Sequence, residues 1–112
     1  MNPEAPFVSE EKPKNDAYYH FAISRMLYLD GKNADSLREL EYAELADPKS
    51  AYLKYNLAIM YIAEGRMTDA LAKLEESIKI GPDFAPSYTL LGRVYASSQD
   101  PDMKAKSVTI LN

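Results

Sequence analysis

His20 is the one side chain in this sequence that suggests metal binding or acid–base chemistry, and Asp16 lies one helical turn before it. Two such groups do not form a metal site, because a catalytic or structural zinc ion usually takes ~3 or 4 protein ligands. The chain contains no Cys, which excludes a thiolate nucleophile, and no serine has a candidate base other than His20. The sequence also lacks a glycine-rich phosphate-binding loop. It therefore predicts a protein that is not an enzyme, with no catalytic residue, no metal site and no cofactor.

The net charge of the chain argues against nucleic acid and anionic lipid as partners. The 112 residues carry 13 Lys and Arg against 17 Asp and Glu, a net charge of −4, so a broad basic surface for nucleic acid or anionic lipid is not expected. No apolar run reaches the ~18 residues of a membrane span, and the opening residues lack the basic start and apolar stretch of a secretory signal. We therefore predict no nucleic acid partner, no membrane insertion and a cytoplasmic location. An exported domain whose leader has been replaced by Met1 is the alternative.

A repeat of 34 residues organises the chain. Gly31 and Gly65 are separated by this interval, and so are Pro48 and Pro82. Seven more identities share the offset: Ala17 with Ala51, Tyr18 with Tyr52, Met26 with Met60, Asp35 with Asp69, Leu37 with Leu71, Leu40 with Leu74, and Glu41 with Glu75. The same interval leads from Tyr61 to Tyr95, which places the start of a third repeat at Ala85.

Apolar residues recur at helical spacing in each repeat, and this pattern predicts two helices per repeat. The six predicted helices cover residues 16–30, 34–46, 50–64, 67–80, 84–98 and about 101–110. Gly31 and Gly65 stand where a helix leaves its last turn with a positive φ, and the prolines stand where the second helices stop. Asp100 is predicted to cap the sixth helix, with Pro101 in its first position.

The first fourteen residues differ from the rest in composition. Pro3, Pro6 and Pro13 stand among Glu and Lys, and no helical period is present. Such a segment cannot bury enough apolar surface to offset the entropy of ordering. We predict a disordered tail over residues 1–14, with Phe7 and Val8 as its sizeable apolar side chains. The folded domain is predicted to cover 15–112, with repeats at about 17–50, 51–84 and 85–112.

The repeat resembles that of the tetratricopeptide repeat (TPR) family, a 34-residue helix-turn-helix. The resemblance covers residues 16 to about 111. Its pattern of a large apolar residue, then a small one, then an aromatic three positions later matches Leu57, Ala58 and Tyr61, and again Leu91, Gly92 and Tyr95. The small residues of the second helices also match, at Ser36, Ala43, Ala70 and Ser77. The resemblance implies an all-α, right-handed superhelical solenoid of about three repeats, the third one degenerate or capping.

Two departures from the family pattern stand out. The position where many TPR units carry tryptophan holds His20, Lys54 and Tyr88, and a lone His there is expected to be a half-buried packing residue. In the third repeat, Lys104 stands where a small residue belongs, unless a one-residue insertion places Ala105 there instead. The sixth helix is therefore expected to be part of a degenerate repeat or a cap.

The resemblance further implies a peptide-binding groove, because the first helices of TPR units line the concave face. If the first helix turns Ile23, Met26 and Leu27 inward, its helical period places a strip of aromatic and arginine side chains on the exposed side. Such side chains are enriched at binding hot spots. The predicted peptide-binding residues are Tyr18, Phe21, Arg25, Tyr28, Tyr52, Tyr55, Asn56, Ile59 and Arg93. A simpler explanation is that these aromatics cover one another or the loop of a neighbouring repeat.

Some TPR domains hold the C-terminal carboxylate of heat-shock chaperones with a clamp of Lys, Asn and Arg. Asn56 matches one clamp position, whereas Phe21, Arg25, Pro86 and Leu90 occupy the others. The clamp is therefore essentially absent, and Asn56 is expected to form hydrogen bonds in the groove.

These observations predict a non-catalytic protein–protein interaction scaffold. Its partner is expected to be a protein or peptide, extended or helical, with hydrophobic groups that meet the aromatics and acidic groups that meet Arg25 and Arg93. The alternatives are a structural unit that self-assembles as a homo-oligomer through its end repeats, a fragment of a longer TPR array, or an accessory domain of an enzyme.

Overall fold

The computed structural model describes the backbone of residues 4–111 and the side chains of residues 16–107. It contains α1 (Glu4–Leu29), α2 (Asn33–Ala46), α3 (Ala51–Ala63), α4 (Met67–Ile80), α5 (Ala85–Ala96) and α6 (Pro101–Leu111). No strand occurs in residues 4–111, so the all-α prediction is confirmed. The starts of the helices keep the period of the sequence: α2, α4 and α6 begin at equivalent positions of successive repeats, as do α3 and α5.

The helices form two compact units, Met1–Lys49 and Ser50–Asn112. In the first unit α1 packs on α2. In the second unit α3 packs on α4, α4 contacts α5, and α5 packs on α6. Each helix pair of a repeat is therefore a packed hairpin. The boundaries predicted for the three repeats stay predictions.

The start of α1 differs from the predicted start at residue 16. The helix begins at Glu4 and includes Pro6 and Pro13. Pro6 lies in the first turn, where a missing amide donor costs nothing, whereas Pro13 removes one hydrogen bond of the helix interior. The side chains of residues 1–15, Phe7 and Val8 among them, lie outside the described part, and the predicted disordered tail over residues 1–14 stays a prediction.

Two glycines end the first helices of the first two repeats, as predicted. Gly31 has φ 80° and Gly65 has φ 77°, and these are the positive values found among the described residues. The Lys32 amide donates to the Leu27 carbonyl at 2.9 Å, and the Arg66 amide donates to the Tyr61 carbonyl at 2.8 Å. These bonds use carbonyls that a helix end would otherwise leave without a partner.

The third repeat turns without a glycine, because Gln99 stands at the position of Gly31 and Gly65. α5 ends at Ala96, and Ser98 accepts a hydrogen bond from the Asp100 amide at 3.0 Å. The Asp100 carboxylate then accepts from the Asp102 amide at 2.9 Å. The predicted cap of the sixth helix is therefore confirmed, and in this turn side-chain oxygens accept hydrogen bonds from amides before and within the first turn of α6.

Small buried side chains form the seams between paired helices. In the first unit the Ser24 hydroxyl donates to the Ser36 carbonyl at 2.8 Å, and the Ser36 hydroxyl donates to the Ser24 carbonyl at 2.8 Å. In the second unit Ala58 and Ala70 are fully buried. The Ser77 hydroxyl donates to the Ala51 carbonyl at 2.9 Å and lies 2.6 Å from the Ser87 hydroxyl. These small side chains allow the helices to pack closely.

Two packing predictions are wrong. Met26 was expected to face inward but is 66% exposed, because α2 is the helix that packs on α1 within the first unit and it does not cover that side. In α6 both Lys104 and Ala105 are exposed, whereas Ser107 is buried and Met103 is half-buried. The inward face of α6 therefore follows Met103 and Ser107, one helical turn apart, rather than either predicted register.

Lys54, at one of the tryptophan positions, is buried in the seam between α3 and α4, with 6% of its surface exposed. Its Nζ lies 3.0 Å from Glu76 Oε1, and Lys73 Nζ lies 3.4 Å from the same oxygen. Burial by itself raises the pKa of Glu76, but the hydrogen bond from Lys54 and the charges of the two lysines outweigh it and lower the pKa below its ordinary value. The lysine stem fills the seam while its charge is paired at the surface.

Replacing Gly65 tests the role of backbone geometry in the turn. A Cβ added at Gly65 would meet no atom within 4 Å, so the cost of Gly65→Ala comes from the positive φ rather than from a clash. We expect a loss of ~1–2 kcal/mol in the free energy of unfolding, measured by urea denaturation. Gly65→Asn should lose clearly less, because Asn adopts the left-handed region more readily. Equal losses in both variants would contradict this explanation.

The Lys54–Glu76 pair predicts a pH-dependent contribution to stability. Because the pKa of Glu76 is lowered by folding, the contribution is present above the unfolded value of about 4.3 and is lost as the pH falls through the lower folded value. Glu76→Gln should therefore destabilise the protein at neutral pH by about 1 kcal/mol or less, since solvent screens this half-exposed carboxylate.

The difference between wild type and Glu76→Gln should shrink in urea denaturation at an acidic pH below about 4.3, the ordinary value for Glu, because protonation of the carboxylate removes the charge that pairs with the lysines. Glu75→Gln is the matched control, since Glu75 is an exposed neighbour that forms no ion pair with a described residue. A difference that stays constant between the two pH values, or an equal effect of the control, would show that the ion pair is not its source.

Candidate functional site

The second unit contains a pocket of about 350 Å³ between α3 and α5. Its lining residues are Tyr55, Ala85, Pro86, Thr89, Leu90 and Arg93. The pocket brings together Tyr55 and Arg93, two of the predicted peptide-binding residues that are far apart in sequence. Pro86 and Leu90, which stand at clamp positions of the family pattern, form part of its apolar wall. The pocket therefore combines aromatic, aliphatic and cationic groups in one concave site.

Phe84 fixes the aromatic side of this site. It precedes α5, and its ring lies edge-on to Tyr55 at 5.6 Å between centroids and to Tyr52 at 6.3 Å. Such edge-to-face pairs are favourable beyond the apolar area that they bury. Both tyrosines of α3 therefore contact the loop between α4 and α5, as the simpler explanation of the aromatics expects, and their role in peptide binding stays a prediction. Tyr52 nevertheless keeps 51% of its surface exposed.

Phe84 is a neighbour of the site that was not among the predicted binding residues. The residue lies outside the repeating pattern, because the positions equivalent to it are Ser50 and Asp16. A usable signal was present, since an aromatic residue directly before the first helix of a repeat can reach the tyrosines of the preceding first helix.

Asn56 and Ile59 lie on α3 near the two tyrosines. The Asn56 side-chain amide donates to the Tyr52 carbonyl of the same helix at 2.8 Å. One N–H donor of the Asn56 side chain is therefore used within α3 rather than on a ligand. Ile59 is exposed. A role for either residue in peptide binding stays a prediction.

Arg93 differs from Arg38 and Arg66 in its surroundings. Arg38 lies 3.0 Å from Asp35, and Arg66 lies 2.8 Å from Asp69, each three residues away in the sequence. Arg93 is exposed in the last turn of α5 and forms no ion pair with any residue in the described part of the chain. Its guanidinium therefore presents a positive charge to the pocket that no described carboxylate neutralises.

The first unit holds the other predicted binding residues, all on α1. Tyr18 is 70% exposed, Tyr28 is exposed, and Phe21 is half-buried. The Arg25 guanidinium lies 5.7 Å from the centre of the Tyr28 ring, within the range of a cation–π contact. The first unit thus presents an aromatic and cationic surface of its own. The prediction of one continuous groove stays a prediction.

His20 packs between aromatic rings in the first unit. Its Nδ1 lies 2.6 Å from Glu39 Oε1, and its ring lies 5.2 Å from that of Tyr19 and 5.3 Å from that of Tyr42. A half-buried His with one carboxylate partner is the packing arrangement that its position predicts. Among the described residues, no group of three or more His, Cys, Asp or Glu side chains is placed to hold a metal ion.

None of the described helices combines the length and the apolar character needed to cross a bilayer.

Comparisons with known proteins give a match in structure but not in sequence. No family model matches this sequence, and no curated protein matches it. Among the solved structures, 36 chains match. One is the crystal structure of MamA, with a TM-score of 0.74, 20% sequence identity, and coverage of 84% of this chain and 55% of the MamA chain.

The similarity to MamA concerns the fold. At this level of identity the match concerns the fold alone, and the chain spans about half the length of the MamA chain. With the six helices and the period of 34 residues, the match shows that this chain has a TPR-like helical repeat fold.

Proposed function

We propose that this chain is a non-catalytic protein-interaction module that binds a short peptide or helix. The observation that carries the proposal is the pocket of the second unit, where Tyr55 and Arg93 converge on a concave site with apolar walls. Aromatic and arginine side chains are the residues that most often dominate the energy of protein interfaces. A helical repeat fold supports the proposal, because stacked helices present extended surfaces to partners.

The first unit supports the same function with a second set of side chains. Tyr18 and Tyr28 expose much of their rings, and Arg25 lies over Tyr28 without an ion-pair partner in the described part of the chain. A partner that covered these rings would remove apolar surface from water and could add a carboxylate next to Arg25. The expected partner is therefore a protein segment with apolar and acidic side chains.

Self-association is the second candidate function. Exposed apolar side chains in the first unit favour it, because Met26 and Leu45 expose most of their surface and are not covered by the α1–α2 packing. Copies of the chain, or further repeats of a longer protein, would bury these residues. Concentration-dependent light scattering separates the candidates: a chain that stays monomeric and binds peptide supports the first one.

The functional test removes the exposed binding groups and leaves Tyr52 and Tyr55, which support Phe84, intact. The variant combines Tyr18→Ala, Arg25→Glu and Arg93→Glu. It should melt as the wild type does by circular dichroism, because exposed substitutions usually change stability by about 0.5 kcal/mol or less. Its capture of partners from an extract of the source organism should fall at least ~30-fold, the effect of losing about 2 kcal/mol at a hot spot.

A matched control keeps the same change of charge elsewhere on the surface. It combines Lys49→Glu and Lys79→Glu, two exposed positions outside the predicted binding residues and apart from Met26 and Leu45. The control should capture the same partners as the wild type. If the binding-site variant retains every partner, or if the control loses them equally, the proposed surface is not the interaction site.

A further inference from the structure

The pocket of the second unit has the shape of a short groove along α5. Its lining residues run from Ala85 in the first turn to Arg93 in the last turn. This is a span of about 12 Å at ~1.5 Å of rise per residue. An extended peptide covers the same length with about four residues, at ~3.3 Å each. The volume of about 350 Å³ is close to the lower limit of ligand pockets and fits a few side chains rather than a whole helix.

The two ends of this groove differ in chemistry. The end at the start of α5 is apolar, with Ala85 and Pro86 in the wall, and Leu90 continues the apolar wall along the helix. The opposite end carries Arg93, the one charged residue among the lining residues. Thr89 supplies a hydroxyl one turn before Arg93. A ligand that matches both ends places an apolar side chain at Pro86 and a negative charge at Arg93.

The charge of the site calls for a ligand carboxylate. Arg93 has no carboxylate partner among the described residues, although the chain as a whole is acidic with a net charge of −4. An arginine guanidinium binds a carboxylate with two parallel hydrogen bonds, and this pairing is stronger than that of neutral groups. An Asp or Glu side chain of a partner supplies this group.

The neighbouring donors favour a side-chain carboxylate over the C-terminal carboxylate of a chain. A C terminus is commonly held by several converging donors, such as a nest of backbone amides. Here Arg93 is the one cationic group at the pocket, and Asn56 on the adjacent helix donates to the Tyr52 carbonyl instead. One guanidinium suits a single Asp or Glu side chain within a continuing peptide.

We infer that this groove recognises an internal acidic segment of a partner protein. The segment is extended and carries a large apolar side chain at the Pro86 and Leu90 wall, next to the Tyr55 ring. An Asp or Glu two or three residues away pairs with Arg93. The inference rests on the proposed interaction function and adds to it the class of sequence that the second unit selects.

The test is a selection from random peptides displayed at the N terminus of a phage coat protein, so that no displayed peptide has a free C terminus. The full chain is the bait. Enriched sequences should share an Asp or Glu two or three residues from a large apolar residue. Enrichment without a shared acidic residue, or no enrichment at all, would overturn the inference.

Affinities of an enriched peptide, synthesised with an amidated C terminus, locate its carboxylate. Arg93→Gln should weaken binding at least tenfold and Arg93→Glu further, whereas the exposed control Lys49→Gln should have no effect. Exchanging the acidic residue of the peptide for Lys should abolish binding to the wild type and restore part of the affinity for Arg93→Glu. Unchanged affinity in Arg93→Gln, or failure of this charge exchange, would place the carboxylate elsewhere.

This experiment fails separately from that of the proposed function. If partners from the extract depend on the combined surface variant but the selected peptides do not depend on Arg93, the interaction function stands and the acidic motif is wrong. If the extract yields no partner sensitive to the surface variant, the interaction function itself is wrong.

Discussion

The close approach of paired helices is the constraint on which the rest of this fold depends. Ser24 and Ser36 in the first unit, and Ala58 and Ala70 in the second, leave room for the backbones to come together. A polar side chain is acceptable in such a seam when its hydroxyl has an acceptor, and each serine of the first pair donates to the carbonyl of the other. The larger residues Leu40, Leu57 and Leu74 then interlock around these contacts.

Much of this architecture could be predicted from the sequence, because it depends on residues that recur at a fixed interval. The left-handed conformations of Gly31 and Gly65 and the cap at Asp100 followed from local rules about how helices end. The orientations of Met26 and of the α6 face did not. Both orientations depend on which helix covers which side, and the period within one helix carries no information about its neighbours.

The candidate site, too, could be predicted from the sequence only in part. The helical phase predicted Tyr55 and Arg93 on exposed surfaces, and both line the pocket. Phe84 could not be deduced from the repeat, since its place before α5 is occupied by unrelated residues in the other repeats. The hydrogen bond of Asn56 to its own helix was also unexpected. The sequence does not distinguish a side-chain amide that bonds to its own helix from one that is free to bind a ligand.

The contact between Phe84 and the tyrosines of α3 has a consequence for the thermodynamics of recognition. A side chain that is free in solution loses about 0.5–1.5 kcal/mol of conformational entropy when a ligand immobilises it. The edge of the Phe84 ring restricts Tyr55 before any ligand arrives, so part of that entropy is already lost on folding. In the proposed peptide complex, the loop between α4 and α5 would contribute to affinity by pre-organising a side chain, through a residue that does not line the pocket.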